Sequence, residues 1–186
     1  MKESVARVRI LETASRLFYD QGYNSTGISQ IIEEADISRQ SLYNHFPSKR
    51  DLLLAYIEHA ESAWFERLEK FLKKYKDPKS KLLGIFDFRA DEQYSTGFRG
   101  CHFSKIMAEV PKDDLEIFEH VSKEKDRMKT FIKVLLGQIE LKNPSLDIDM
   151  ICEAMFLLFE GCTVAASLYK VKAPIAYAKK ITASLL

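Results

Sequence analysis

The sequence predicts an all-α protein of about nine helices, and three observations carry that reading. Apolar residues recur at helical spacing along most of the chain. No run alternates apolar and polar residues with the two-residue period of a half-buried strand. Helix-ending residues, among them Gly22, Pro78, Pro111 and Pro144, divide the chain into helix-sized pieces.

Ile10, Ala14, Leu17 and Phe18 form one stripe of a first helix that stops near Gly22. Ile28, Ile31, Ile32 and Ala35 mark a short second helix, capped by Thr26 or Gly27. A third opens on Ser38 and ends at Phe46-Pro47, because the residue before proline is pushed extended. Ser48 starts a long fourth helix with Asp51 three residues on, a near capping box. Its apolar side runs through Leu52, Tyr56, Ile57, Trp64, Leu68 and Leu72 to a stop at Asp77-Pro78. Further helices are expected over residues 80–90, 101–110, 115–138 and 149–169. Asn143-Pro144 forms a break, and a last helix begins at Pro174. The organisation expected is residues 1–47 as one domain and 48–186 as a second, linked by the helix from Ser48.

Bulk properties narrow the function classes. With 186 residues, 46% hydrophobic and 30% charged, the chain can bury a substantial core. A net charge of +1 gives no global pull toward nucleic acid or membrane, so any such pull is local. Three cysteines, without C-x-x-C spacing, fit a reducing compartment and neither a disulfide framework nor a zinc site. Lys2, Glu3, Arg7, Arg9, Glu12 and Arg16 interrupt the apolar core that a signal peptide needs. The segment MICEAMFLLFEGCTVAASLY holds Glu153 and Glu160 and reads as a buried helix, not a membrane span. A cytoplasmic location is expected. Serine-histidine-aspartate arrangements, phosphate loops and H-E-x-x-H are missing, so neither an enzyme nor a cofactor is expected.

The stretch ISRQSLYNHFPSKRDLL carries the chemistry. On a helix opened by Ser38, Leu42 and Phe46 fall on the core side. Gln40, Ser41, Asn44 and His45 occupy the opposite arc, with Arg39 in the first turn. A solvated face would favour Glu and Lys; amides, hydroxyls and Arg instead match base edges in the major groove. Lys49 and Arg50 lie in the first turn of the fourth helix, where the helix dipole disfavours cations unless an external anion binds. Free N–H groups together with those cations make a phosphate site. Thr26 and Tyr43 are natural phosphate donors. Two short helices joined by Ala35-Asp36-Ile37 form a helix-turn-helix. A solvated face and, for Tyr43, a half-buried core aromatic are the alternative readings.

The residues ILETASRLFYDQGYNSTGISQIIEEADISRQSLYNHFPSKRDLL resemble the N-terminal DNA-binding domain of the TetR family of transcriptional regulators. The S...LY.HF.SK..L run is highly specific. GFRGCHFSKIMAEV and LLFEGCTVAASLY are more loosely similar to later parts of members. The resemblance implies a homodimer with an N-terminal helix-turn-helix and a C-terminal helical bundle for effector binding and dimerisation. It implies phosphate contacts by Thr26, Tyr43 and Lys49. Ser29, Arg39, Gln40, Ser41, Asn44 and His45 would read or border bases, with Ser38 at the helix start. The chain departs from the family at Asp36, where Gly is usual, and at Ile32, where Ala is usual.

In the C-terminal part, Phe86, Phe98, Cys101, Phe103, Met107, Phe131, Met155 and Phe159 could line a mostly apolar pocket, with His102 and Glu109 as polar groups. Plain core packing is the competing reading for each. The helix over 149–169 is apolar on two sides. Phe156, Thr163 and Ala166, with Ile175 and Ile181 from the last helix, are expected at a subunit interface. The function expected is sequence-specific transcriptional regulation, as a repressor released from double-stranded operator DNA by a small apolar or aromatic effector. A helical ligand-binding or interaction protein without DNA readout is the alternative.

Overall fold

The computed structural model describes residues 4–141 and 147–186; the expected break at Asn143-Pro144 lies outside them. Among the described residues there are nine helices and no strand. They are α1 (Val5–Gln21), α2 (Ile28–Glu34), α3 (Arg39–His45), α4 (Lys49–Leu72), α5 (Pro78–Ser95), α6 (His102–Glu109), α7 (Leu115–Leu136), α8 (Ile148–Tyr169) and α9 (Ala173–Leu185). The chain forms two compact units, Met1–Ala63 with His102–Ser122, and Trp64–Cys101 with Lys123–Leu186. The unit holding the helix-turn-helix thus extends past residue 47 and takes in α6.

The first unit packs around Ile10, Ala14, Leu17, Ile31, Leu42 and Leu52, all nearly inaccessible to water. Ser4 caps α1 by accepting from the Arg7 amide. Gly22 ends that helix at φ +98°, and a Cβ there would lie 2.7 Å from a Glu109 carboxylate oxygen. The backbone conformation favours glycine, and any larger residue would also have to displace the Glu109 carboxylate. Gly27, not Thr26, is the N-cap of α2. Asp36 closes α2 at φ +50°. Its N–H donates to the Glu33 carbonyl (3.1 Å), and Ile37 N–H donates to that of Ile32 (3.2 Å). This is the paired bonding of a Schellman end. Aspartate tolerates this left-handed backbone less well than glycine, so the turn carries some strain.

The second unit buries Trp64, Phe65, Leu68, Leu82, Phe86, Met128, Ile132, Met155 and Phe159 in one core. Helix α4 ends at Leu72, before the expected stop at Asp77-Pro78. The physical reason is that this dipeptide starts a helix and does not end one. Asp77 caps α5 by accepting from the Ser80 amide (2.8 Å), and Pro78 stands in the first turn. The freed segment lays Tyr75 against α5, where a Cβ on Gly84 would come within 2.5 Å of the Tyr75 ring. By length and hydropathy α8 could cross a membrane. Its inner side, through Ile151, Met155, Phe159 and Ala166, instead packs into the core. Glu153 and Glu160 pair with Lys129 and Lys125.

Candidate nucleic-acid interface

Helix α3 is short, and its position comes from tertiary contacts more than from propensity. Leu42 and Phe46 anchor it in the core at 0% and 3% exposure. Ser38 caps it by accepting from the Ser41 amide (3.1 Å). The opposite face projects Arg39, Gln40, Tyr43 and Asn44 into solvent. Gln40 Nε2 donates to Asn44 Oδ1 (2.9 Å), one turn on, and Arg39 donates to Ser29 Oγ on α2 (3.3 Å). The exposed donors and acceptors are thus partly ordered. No acid interrupts α3.

At the start of α4 the expected near capping box takes a variant form: Asp51 N–H donates to Ser48 Oγ (3.1 Å), and the return bond runs from that hydroxyl to Asp51 Oδ2 (2.6 Å), side chain to side chain. The two basic residues beside it behave differently. Lys49 lies over the Tyr23 ring at 4.3 Å from its centroid. Burial lowers its ammonium below the ordinary lysine value, against the pull of Glu109. Arg50 is engaged by acids of its own unit at the surface. Its Nε and one guanidinium NH2 donate to the two Asp114 oxygens (2.8 and 2.7 Å), and that NH2 also reaches Glu116 (2.7 Å). Those carboxylates raise the already high Arg50 value, and Arg50 holds Asp114 below the usual carboxylate range. Its expected share in phosphate binding is reduced, because Asp114 and Glu116 balance its charge and take Nε and one of its two NH2 groups.

Two further expectations need correction. Thr26 is fully buried. Its hydroxyl donates to the Gly22 carbonyl (2.7 Å) and accepts from Gln21 Nε2 (3.2 Å), so its side chain shapes the α1–α2 turn and is not presented to a strand. His45 is half-buried at the edge of the face, with Nε2 3.1 Å from Ser4 Oγ. Ser41 is half-buried too, while Ser29 and Ser38 are exposed.

Helix α6 supports this unit in a way that sequence reading missed. His102 stacks on Tyr19 at 3.7 Å between centroids, and its Nδ1 lies 2.6 Å from the Tyr56 hydroxyl. Glu109 accepts from the Asn24 amide (2.8 Å), and its own carbonyl accepts from Asn24 Nδ2 (2.8 Å). His102 and Glu109, expected as polar groups of an effector pocket, hold the helix-turn-helix instead. No local signal could reveal this, because Asn24 and Glu109 are 85 residues apart.

The other pocket residues are also redistributed. Phe103 and Met107 belong to the first unit. In the second, Phe86, Met155 and Phe159 are core at 1%, 1% and 2% exposure, and Phe98 and Phe131 pack against that core. Phe86 lines a cleft of about 470 Å3 between α5 and α9, and Phe131 a smaller one of about 170 Å3; neither gathers the expected set. Cys101 lies beside Lys125, Nζ to Sγ 3.5 Å. Around that lysine is an unforeseen buried charge cluster. Arg89, 5% exposed, donates to Glu92 (2.8 Å) and lies over the Phe159 and Trp64 rings. Burial pushes the Glu124 carboxyl up to about 7, despite Lys125 3.4 Å away. For Lys125 burial pulls down, but Cys101, Glu124 and Glu160 outweigh it and keep the ammonium charged.

The interface residues are corrected similarly. Thr163, Ala166 and Ile175, at 2%, 0% and 1% exposure, pack inside their own unit. Phe156 is half-buried and covered by Lys129, whose ammonium is 4.8 Å from the ring centroid. Ile181 is exposed, as are Leu157, Val164 and Leu168 of α8 and Tyr177 of α9. Residues expected on both apolar sides of α8, Ile151, Met155 and Cys162 on one and Phe159, Thr163 and Ala166 on the other, are buried in the unit, and the exposed apolar residues Leu157, Val164 and Leu168 lie on neither.

Comparison with known proteins bears on both units. Residues 10–56 match the sequence model of the bacterial regulatory proteins, tetR family. The uncharacterized HTH-type transcriptional regulator YuxN of Bacillus subtilis is 38% identical over 71 residues, covering 38% of this chain and 24% of that protein. The chain thus spans about a quarter of the length of that relative. The HTH-type transcriptional repressor KstR2 of Mycolicibacterium smegmatis is 27% identical over 151 residues, covering 78% and 71% of the two chains. In three dimensions the chain is similar to SCO4454, a TetR-family transcriptional regulator from Streptomyces coelicolor. The TM-score is 0.80, with 26% identity and coverage of 97% and 91%.

Proposed function

We propose that this chain, a member of the tetR family of bacterial regulatory proteins through its residues 10–56, is a sequence-specific DNA-binding transcriptional regulator. It works in the cytoplasm as a homodimer and represses until a small effector releases it from its operator. The observation that carries this reading is the acid-free, solvent-facing side of α3, with Arg39, Gln40, Tyr43 and Asn44 held out from a locked core. Gln40 and Asn44 read base edges, while Tyr43 and Lys49 hold phosphates. Ser29, Ser38, Ser41 and His45 border the contact. The apolar stripe of Leu157, Val164, Leu168, Tyr177 and Ile181 is the surface two subunits share, since a two-fold reader needs two half-sites. The effector site belongs to the second unit. Because α4 contributes residues to both units, a shift of α4 on effector binding is the route to release.

Fluorescence anisotropy on DNA from upstream of the protein's own gene tests the reading. Affinity is expected to fall steeply with salt as counterions are released. Salt-insensitive binding, or no binding to any upstream fragment, would refute it. One observation favours a second reading, a helical ligand-binding or interaction protein without DNA readout. Arg50 is spent on Asp114 and Glu116, leaving a thin positive footprint. The same titration decides between the two.

A further inference from the structure

The cleft between α5 and α9 lies wholly within the second unit. Its volume of about 470 Å3 is that of a small-ligand site. Its floor is apolar, with Phe86 and Ala90 from α5 and Ile175, Ala176 and Ala183 from α9. Short side chains at three of these positions leave the space open. Lys172, Lys179 and Lys180 stand around the floor, and Asp87 is the one acid among the lining residues.

The charges do not cancel. Lys179 donates to both Asp87 oxygens at 2.7 Å and neutralises that acid. Lys172 is 3.7 Å from the Asp91 carboxylate across side chains that are 44% and 65% exposed, a pairing that water screens heavily. Lys180 makes no ion pair with any described residue; its nearest recorded partner is the Tyr177 ring, 5.7 Å from the centroid. A positive rim over an apolar floor is complementary to a molecule that is anionic at one end and apolar at the other. Tyr177 and Ile181 lie about 100–160° around α9 from Ala176 and Ala183, so subunits joined through that stripe leave the cleft open.

We propose that this cleft binds an anionic amphiphile, a carboxylate or comparable anion on a short apolar chain. The chain lies against Phe86, Ala90 and Ile175, and the head is held by Lys180 and Lys172. Any effect of such binding on operator affinity rests on the regulatory reading above; the binding itself does not.

Isothermal titration calorimetry of the full chain with decanoate, below its micelle concentration, tests the proposal. Decanol and decyltrimethylammonium serve as neutral and cationic comparators. Decanoate is expected to saturate at one per chain and to bind better than both comparators. Lys180→Glu, a surface change, weakens it by roughly 5-fold or more through loss of one charge and gain of its opposite. Ala176→Leu with Ala183→Leu fills the cleft and removes binding, while the far-ultraviolet spectrum and melting temperature show that the variant folds. Failure of decanoate to saturate, equal or tighter binding of the cation, or unchanged binding by the filled variant would each overturn the proposal. So would a Lys180→Glu chain of lower oligomeric mass, which would place a second copy in the cleft. Absent decanoate binding alongside intact, salt-sensitive DNA binding would sink the cleft and leave the DNA reading standing. Decanoate binding by a chain that binds no upstream DNA even without decanoate would do the reverse.

Discussion

The two units of this chain handle charge in opposite ways. In the first, ion pairs lie at or near the surface and tie turns to helices: Arg9 with Asp36, Arg16 with Glu34, and Arg50 with Asp114 and Glu116. In the second, Arg89, Glu92, Glu124 and Lys125 are drawn into the interior beside Trp64 and Phe159. The lesson is about what each arrangement is worth. Exposed pairs contribute little energy and chiefly hold geometry. Buried pairs carry large desolvation costs, and removing one partner strands the other. A recognition surface needs the first kind, because its polar groups must stay hydrated until they meet DNA.

The largest expected effect separates surface function from stability. Tyr43→Ala together with Lys49→Ala removes the two proposed phosphate contacts from each half-site. Each is worth about 1.5–3 kcal/mol as a hydrogen bond to a charged group, so operator affinity drops roughly 1000-fold or more. Anisotropy titrations at several salt concentrations should also show a shallower salt slope. The melting temperature of the double variant should be nearly unchanged, and a large loss would mean that these side chains are structural.

Next comes a direct contest between a buried and an exposed arginine. Arg89→Ala removes a buried cation and leaves Glu92 to Arg67 and the Trp64 indole N–H; it is expected to cost about 3 kcal/mol in urea unfolding, the low end for a broken buried pair. Arg9→Ala breaks an exposed pair with Asp36 and should cost less than about 0.5 kcal/mol. Similar values for the two would erase the contrast between the units.

Glu124 sharpens the same contrast through pH. Its carboxyl is raised from 4.5 to about 7 in the folded chain, chiefly by burial. A raised acid binds more protons folded than unfolded, so its contribution to stability is full below about 4.5 and is lost as pH rises toward 7. The loss amounts at most to roughly 3 kcal/mol. Glu124→Gln should flatten the stability profile between those pH values. Denaturation midpoints taken across the range check this, and an unaltered profile would assign the pH dependence elsewhere.

The smallest effect lies in the first unit's backbone. Asp36 sits at φ +50° with its carboxylate largely in water. Asp36→Gly should stabilise by about 0.5–1 kcal/mol, as strain is relieved at the expense of some chain entropy. A decrease in thermal stability would show that the Arg9 pair outweighs the backbone.

Much of the helix-turn-helix was legible in the sequence because its determinants are local. Ser38, Leu42, Phe46, Pro47, Ser48 and Asp51 specify a cap, a buried side, a stop and a new start within fourteen residues of one another. Thr26 shows the limit of such reading. Its hydroxyl suits a phosphate, yet Gly22 and Gln21 claim it once the turn closes. In the second unit the helices were readable and their faces were not. Thr163 and Ala166 sit on a genuine apolar stripe, but both stripes of α8 turn inward and it is Leu157, Val164 and Leu168, on neither, that stay in solvent.

Local spacing, capping and turn chemistry were sufficient to determine that this protein is all-helical, where most helices begin and end, and that α3 presents a polar face. Those properties depend on residues a few positions apart. Tertiary packing alone decided that α6 props up the helix-turn-helix, that Arg50 pairs with Asp114, that Arg89 and Glu124 share a buried cluster, and that a lysine-rimmed cleft opens between α5 and α9. Each of these joins groups far apart in the chain, and their energies exist only once the folded core has excluded water and brought them together.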